Sequence, residues 1–230
     1  PMMLTDAELQ ALWLSFKVSA RAVVFALPVA IACAWLLARR EFWGKTLFDG
    51  VVHLPLVMPP VVVGYLLLVV FGTNAPLGAW LKDTLGIRFV FTSAGASLAI
   101  AVTTFPLMVR AIRLAIEAID PGLEDAARTL GASAWDRFAT ITLPLMLPGI
   151  VAGAVIAFAA GLGEFGAVIT FVSNIPGETQ TLPLAIYTAT QTPGGEAAAA
   201  RLALLSILLA LAGLVAAEVI GRRVKRMLGR

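Results

Sequence analysis

The chain has 230 residues, of which 60% are hydrophobic and 13% are charged, and its mean hydropathy is +0.92. Soluble domains are about half apolar and about a quarter charged, so the composition excludes an ordinary soluble domain and predicts an all-α integral membrane protein. One cysteine, Cys33, and one histidine, His53, exclude an intrachain disulfide and give no side-chain cluster for a metal site. The net charge of +3 is too small to indicate a nucleic-acid partner.

Five apolar segments predict about five transmembrane helices, because one span needs about 20 residues. The predicted spans cover residues 12–38, 54–71, 89–109, 143–163 and 202–217. Residues 165–195 combine an apolar piece with a stretch rich in Pro, Gly and Thr. This composition leaves open whether they form a re-entrant hairpin or an additional span.

A polar segment, residues 120–144, separates the third and fourth spans. Asp120 suits an N-cap, Pro121 suits the first helical position, and Gly131 is placed to end the helix. Ser133 and Asp136 have the spacing of a capping box and predict a second short helix. Four side chains share one face of the first helix: Leu123, Ala126, Ala127 and Leu130. Periodicity alone favours a loop that packs on its own bundle over a docking site for another protein.

The spacing in this segment resembles the cytoplasmic signature of ABC-importer permeases, which favours the docking site. The signature is an acidic residue, Ala-Ala, a Gly four residues later, an Ile ten further on and then Leu-Pro, here Asp125, Ala126, Ala127, Gly131, Ile141, Leu143 and Pro144. Asp125 stands where Glu is usual, although Glu124 lies beside it. In that family the helix inserts into a groove on the ATP-hydrolysing subunit. The resemblance implies docking through Glu124, Asp125, Ala126, Ala127, Leu130, Gly131 and Trp135.

The distribution of basic residues predicts an orientation. If residues 120–144 are cytoplasmic and there are five spans, 12 of the 17 Lys and Arg residues lie inside. The positive-inside rule then predicts an outside N-terminus and a cytoplasmic C-terminus, with a basic tail at 222–230 that contacts membrane lipid.

The sequence contains no phosphate-binding loop of the Gly-x-x-x-x-Gly-Lys-Ser/Thr type, so we expect no ATP hydrolysis and no catalytic residues in this chain. Glu164 is the one acid placed well inside an uncharged segment, between Gly163 and Phe165. An acid at such a position indicates either a functional site or a carboxylate hydrogen-bonded to loop backbone at the end of a span. Both alternatives stay open.

Longer segments resemble the molybdate ABC transporter permease family: residues 53–65, 105–113, 163–179 and 191–196. The resemblance covers most of the chain and implies a type I ABC importer permease domain at residues 5–222, in a bacterial cytoplasmic (inner) membrane. It implies a second copy of the chain, two ATP-binding subunits that hold ATP and Mg²⁺, and an extracytoplasmic molybdate-binding protein. No cofactor is expected on this chain itself.

The translocation path is predicted from hydroxyl, small and neighbouring residues of the third and fourth spans and the segment after them: Thr103, Thr104, Gly163, Glu164, Phe165, Gly166, Thr170 and Ser173. The cargo that the family resemblance implies is molybdate or tungstate. Sulfate or thiosulfate is the nearest alternative. A secondary transporter driven by an ion gradient, with Glu164 as its coupling acid, is a further one.

Overall fold

The computed structural model describes residues 5–227, and its regular structure is helical throughout. A π-helical turn, Phe138–Thr142, joins α7 to α8. The helices in chain order are α1 Asp6–Arg39, α2 Lys45–Val57, α3 Pro60–Phe71, α4 Pro76–Leu85, α5 Ser93–Glu117, α6 Pro121–Thr129, α7 Ala134–Arg137, α8 Leu143–Leu162, α9 Gly166–Val172, α10 Leu182–Gln191 and α11 Glu196–Met227.

Four stretches of helix are long and apolar enough to cross a membrane: Asp6–Arg39, Ser93–Glu117, Ala134–Leu162 and Glu196–Ala216. They correspond to the first, third, fourth and fifth predicted spans. The first helix begins at Asp6 and not near residue 12, because Thr5 and Glu8 form a capping box at its start. The predicted basic tail begins inside α11, and residues 228–230 lie outside the described part of the chain.

The second predicted span, residues 54–71, is not one continuous helix. The segment is broken into α2 and α3, which meet at an angle of 115°. Met58 and Pro59 are extended at the break, with ψ of 144° and 132°. A proline disfavours the helical conformation of the residue before it, and the Pro59-Pro60 pair applies this restriction to both Met58 and Pro59.

Residues 165–195 form two short helices, α9 with 7 residues and α10 with 10. At about 1.5 Å per residue, neither can cross a hydrocarbon layer about 30 Å thick. The segment therefore has the form of the hairpin alternative. Its first helix packs on α3 and α5, and its second packs on α1 and α11.

Helix α5 is the centre of the bundle and packs against both α1 and α8. Small residues recur every fourth position on the contacting side of α8: Gly149, Gly153, Ala157 and Gly161. A Cβ atom on Gly149 would lie 2.3 Å from the Cβ of Ala115, and one on Gly161 would lie 2.6 Å from Ile100. Small side chains thus allow the close approach of α5 and α8 that stabilises helix pairs in lipid.

Helices α3 and α9 also meet at glycines. A Cβ on Gly64 would lie 2.7 Å from the carbonyl oxygen of Ala167 and 2.8 Å from the Cβ of Thr170. A Cβ on Gly166 would lie 2.9 Å from Pro60. The broken second segment and the hairpin are therefore packed together with little spare space.

Ion pairs mark the two ends of the bundle. At the end that carries the loop of residues 120–144, called the docking end below, Arg113 of α5 lies 3.0 Å from Asp49 of α2. At the opposite end, the far end, Arg201 of α11 lies 2.9 Å from Glu8 of α1, which is buried. The first and last long helices are thus joined at the far end.

The Gly64 contact gives a test of this packing. We expect Gly64→Ala to lower the free energy of unfolding by about 1–3 kcal/mol, because the added methyl group overlaps α9 backbone. The matched control is Gly50→Ala in α2, where a Cβ meets nothing within 4 Å. Thermal unfolding in detergent measures both. Equal melting temperatures for the two variants would contradict the close packing of α3 on α9.

Candidate functional site

The loop of residues 120–144, called the docking loop, has the two short helices that the sequence predicts. The Oδ1 atom of Asp120 accepts a hydrogen bond of 2.8 Å from the backbone N–H of Gly122 at the start of α6. Ser133 and Asp136 form a reciprocal capping box at the start of α7. Gly131, between the helices, has φ +84°, a backbone conformation that glycine adopts without strain.

The apolar face of the docking loop is largely exposed. In the described structure, no residue of α6 or α7 is buried. Leu130 is 88% exposed and Trp135 is 72% exposed. Asp125, Ala126 and Gly131 are also exposed, and Ala127 is half-buried. Exposed apolar side chains of this kind on a polar loop are typical of a protein-binding site.

Glu124 differs from the other predicted docking residues because its carboxylate faces the bundle. Its Oε1 atom accepts a hydrogen bond of 3.1 Å from Nη2 of Arg39 and one of 2.8 Å from Oγ1 of Thr142. Sequence reasoning missed both partners, since they lie 85 and 18 residues away along the chain.

Six of the eight predicted translocation residues lie in the hairpin or in the two residues that precede it. The Oε1 atom of Glu164 accepts a hydrogen bond of 2.9 Å from the backbone N–H of Ala167 and so caps the start of α9. Of the two interpretations of Glu164 made from the sequence, this contact matches the carboxylate that is hydrogen-bonded to backbone at the end of a span. The ring of Phe165 lies 5.3 Å from that of Tyr187 on α10. The other four residues of this group are Gly163, Gly166, Thr170 and Ser173.

The predicted threonine hydroxyls are bonded within their own helices. Thr103 and Thr104 on α5 donate to the carbonyl of Ile100, at 3.1 and 2.7 Å. Thr104 is only 2% exposed. Thr170 donates to Gly166 at 2.7 Å. In this conformation Thr104 therefore faces the protein interior, and its part in a path stays a prediction.

A polar cluster that sequence reasoning missed follows α9. Thr179 is fully buried, and its Oγ1 atom donates to the carbonyl of Ser173 at 3.0 Å and accepts from the N–H of Ile175 at 2.9 Å. Ser173 has φ +63° and ψ −166°, a conformation that non-glycine residues adopt only where the surroundings impose it. Beside them, Asn174 donates to Thr188 at 2.8 Å. Residues 173–179 lie in a segment that resembles the permease family, but only Ser173 was singled out, because nothing in the sequence indicates that Thr179 and Thr188 hydrogen-bond to this turn.

In residues 5–227, no group of three His, Cys, Asp or Glu side chains is placed to hold a metal ion. The described chain thus presents two functional candidates, an exposed docking loop at one end and a polar hairpin packed on a broken helix. The long apolar helices define a multi-pass membrane protein.

Comparison with known proteins identifies the family. Residues 26–226 match the family described as "Binding-protein-dependent transport system inner membrane component". The chain belongs to this family and is a multi-pass inner-membrane permease of the ABC-importer type.

Individual relatives cover the chain almost completely. It is 61% identical over 229 residues to the molybdenum transport system permease protein ModB of Escherichia coli K12, covering 100% of both chains. It is 56% identical to the protein of the same name from Haemophilus influenzae, over 97% of each. The sulfate transport system permease protein CysT of E. coli is 37% identical, over 83% of this chain and 70% of that one.

A solved structure has the same fold. The bacterial alginate ABC transporter, crystallised with its alginate-bound periplasmic protein, contains a chain that superposes with a TM-score of 0.77 at 20% identity. The superposition covers 96% of this chain and 80% of that one. The type I permease architecture that the sequence predicts is therefore confirmed at the level of the fold.

The buried hydroxyl of Thr179 gives a test of the hairpin. We expect Thr179→Val to destabilise the protein by about 1–3 kcal/mol, because the buried Thr179 hydroxyl makes two hydrogen bonds to the backbone at residues 173 and 175 and each such bond contributes about 1 kcal/mol. Thr190→Val on exposed α10 surface, where the hydroxyl donates only to the carbonyl of Tyr187, is the control. Protease sensitivity of the hairpin and thermal unfolding measure the effect. Similar results for both variants would show that the Thr179 hydroxyl does not hold the turn.

Proposed function

We propose that this chain is the transmembrane subunit of an ATP-driven importer for molybdate or tungstate, with residues 5–222 as its permease domain. The observation that carries the proposal is 61% identity over the full length of a relative named as a molybdenum transport permease. Sulfate is the second candidate cargo, favoured by the more distant relative at 37% identity.

Energy for transport comes from a separate subunit in this proposal. The sequence has no phosphate-binding loop of its own, and the docking loop presents Leu130 and Trp135 to a partner. Two copies of the chain form the path, two ATP-binding subunits hold ATP and Mg²⁺ against the docking loops, and an extracytoplasmic binding protein delivers the oxyanion. Closure of the ATP-bound subunits moves the docking loops and switches the paired bundles between inward-open and outward-open states.

The docking end faces the cytoplasm in this proposal, with the N-terminus outside and the C-terminus inside. Support comes from the basic residues, since Arg39, Arg40 and Lys45 lie where α1 ends and α2 begins, at the docking end. This is the distribution that the positive-inside rule requires. The basic end of α11, from Arg222 onward, then contacts anionic lipid of the inner leaflet.

The hairpin of α9 and α10 borders the translocation path in this proposal. Thr103, Thr104, Thr170 and Ser173 supply hydroxyl groups, and Glu164 positions the start of α9 and does not contact an anion. No Lys or Arg lies between residues 143 and 200, so hydroxyl and backbone N–H groups meet the oxyanion. Such a path binds weakly, and the extracytoplasmic binding protein supplies the selectivity.

Uptake measurements on the assembled transporter test the function. The chain is co-produced with its ATP-binding subunit and binding protein, reconstituted in liposomes and supplied with labelled molybdate. We expect uptake that needs ATP and is prevented by unlabelled molybdate or tungstate but not by equal sulfate. Competition by sulfate alone would assign the second cargo. Gradient-driven flux by this chain alone would favour a secondary transporter.

The docking role is tested by adding volume at the loop. We expect Gly131→Trp to abolish co-purification of the ATP-binding subunit and transport, because a close-fitting helix tolerates little added volume. Gly44→Trp is the matched control, since Gly44 has the same φ of +84° and a Cβ added at either glycine would meet nothing within 4 Å. Both variants carry the same backbone strain, so a difference between them reports the position of the added side chain. We expect only Gly131→Trp to lose the ATP-binding subunit. Full activity of Gly131→Trp in properly inserted protein would count against docking at this loop.

A further inference from the structure

We propose that Glu124 is a positioning residue that fastens the docking loop to α1 and to the start of α8, and so transmits movement of the loop into the membrane bundle. The inference rests on the proposed function, because it assigns a step within ATP-coupled transport. It gives Glu124 a role different from that of the exposed docking residues beside it.

One carboxylate oxygen joins three parts of the chain. The Oε1 atom of Glu124, in the first turn of α6, lies 3.1 Å from Nη2 of Arg39 and 2.8 Å from Oγ1 of Thr142. Arg39 is the last residue of α1, and Thr142 is the last residue of the π-helical turn that leads into α8. A displacement of α6 is therefore passed to two long helices through a single group.

The burial of these residues distinguishes the contact from an ordinary surface ion pair. The side chains of Arg39 and Glu124 are 19% and 29% exposed, whereas those of Arg128 and Asp125, which pair within α6, are 69% and 65% exposed. Exposed pairs contribute little, since water and salt screen them. The half-buried Arg39–Glu124 pair is screened less and holds a more defined geometry.

Thr142 hydrogen-bonds to Glu124 and not to its own helix backbone. Thr140, in the same π-helical turn, donates its hydroxyl hydrogen to the carbonyl of Asp136, four residues back, as helical threonines commonly do. Thr142 is 3% exposed and donates instead to the Glu124 carboxylate. Both threonines lie in the π-helical turn at Phe138–Thr142, and such turns occur frequently at functional sites.

This geometry separates two tasks of the docking loop. Leu130 and Trp135 face outward for the partner, and Glu124 faces inward for the bundle. Removing the Glu124 charge leaves the outward face intact, so the ATP-binding subunit still docks and hydrolyses ATP. The movement of the ATP-binding subunit is then transferred poorly to α1 and α8, and less molybdate is transported for each ATP hydrolysed.

The test measures molybdate transported per ATP hydrolysed by the complete complex in liposomes. We expect Glu124→Gln to lower this ratio about tenfold, within the usual range of coupling between sites, while the ATP-binding subunit co-purifies normally. Thr142→Val is expected to lower the ratio in the same direction by a smaller factor. A double variant with exchanged charges, R39E with E124R, is expected to recover part of the ratio lost in each single variant.

Two matched controls come from the same end of the molecule. Glu41→Gln removes the exposed pair of Glu41 with Lys45, at 2.7 Å, and Thr140→Val removes the ordinary backbone-bonded hydroxyl. Both are expected to keep the unaltered ratio, which separates the specific contact from a general effect of charge or hydroxyl loss.

Three results would overturn the inference. An unchanged transport-to-ATP ratio in Glu124→Gln would remove the transmission role, and loss of co-purification would show that Glu124 contacts the ATP-binding subunit directly. An equal loss of ratio in the two controls would show that the effect is not specific. In contrast, an unaltered complex that shows no ATP-dependent uptake would contradict the proposed function itself, and this inference with it.

Discussion

Close helix packing at small residues is the constraint on which the rest of the structure depends. Lipid tails are as apolar as leucine, so helices in a membrane gain little from hydrophobic burial and associate through close contact. Gly149, Gly153 and Gly161 of α8 allow that contact along α5. Gly64 and Gly166 do the same for the shorter pair α3 and α9. These glycines thus set how closely the helices of the bundle approach one another.

A second constraint applies where the helices break, because the backbone polar groups freed at a break need hydrogen-bond partners within the protein. Irregular backbone is tolerated within a membrane protein only where protein or a water-filled cavity covers it. The turn after α9 meets this need through Thr179, which bonds the backbone at residues 173 and 175. The start of α9 meets it through Glu164. The hairpin thus satisfies these backbone groups with its own side chains.

Local patterns predicted much of this architecture, and distant contacts account for what they missed. Four of the five spans followed from apolar length alone, and the caps at Asp120 and Ser133 followed from residue type and spacing. The break at residues 58–59 was visible as Pro59-Pro60, but the apolar length around it favoured a continuous span. Glu124 was predicted only as a docking residue, and its hydrogen bonds to Arg39 and Thr142 were missed because nothing nearby in the sequence indicates these partners. The hydrogen bonds of the polar hairpin cluster were likewise not predicted, since only the folded chain brings these residues together.

The bare Leu130 and Trp135 side chains carry a cost for the cell that makes this subunit. Surface of this kind is suited to a permanent partner, and without one it is available for unselective association. A permease produced in excess of its motor would therefore be prone to clustering and to removal by quality-control proteases. In the proposed transporter, the ATP-binding subunit covers this surface and removes that risk from the assembled complex.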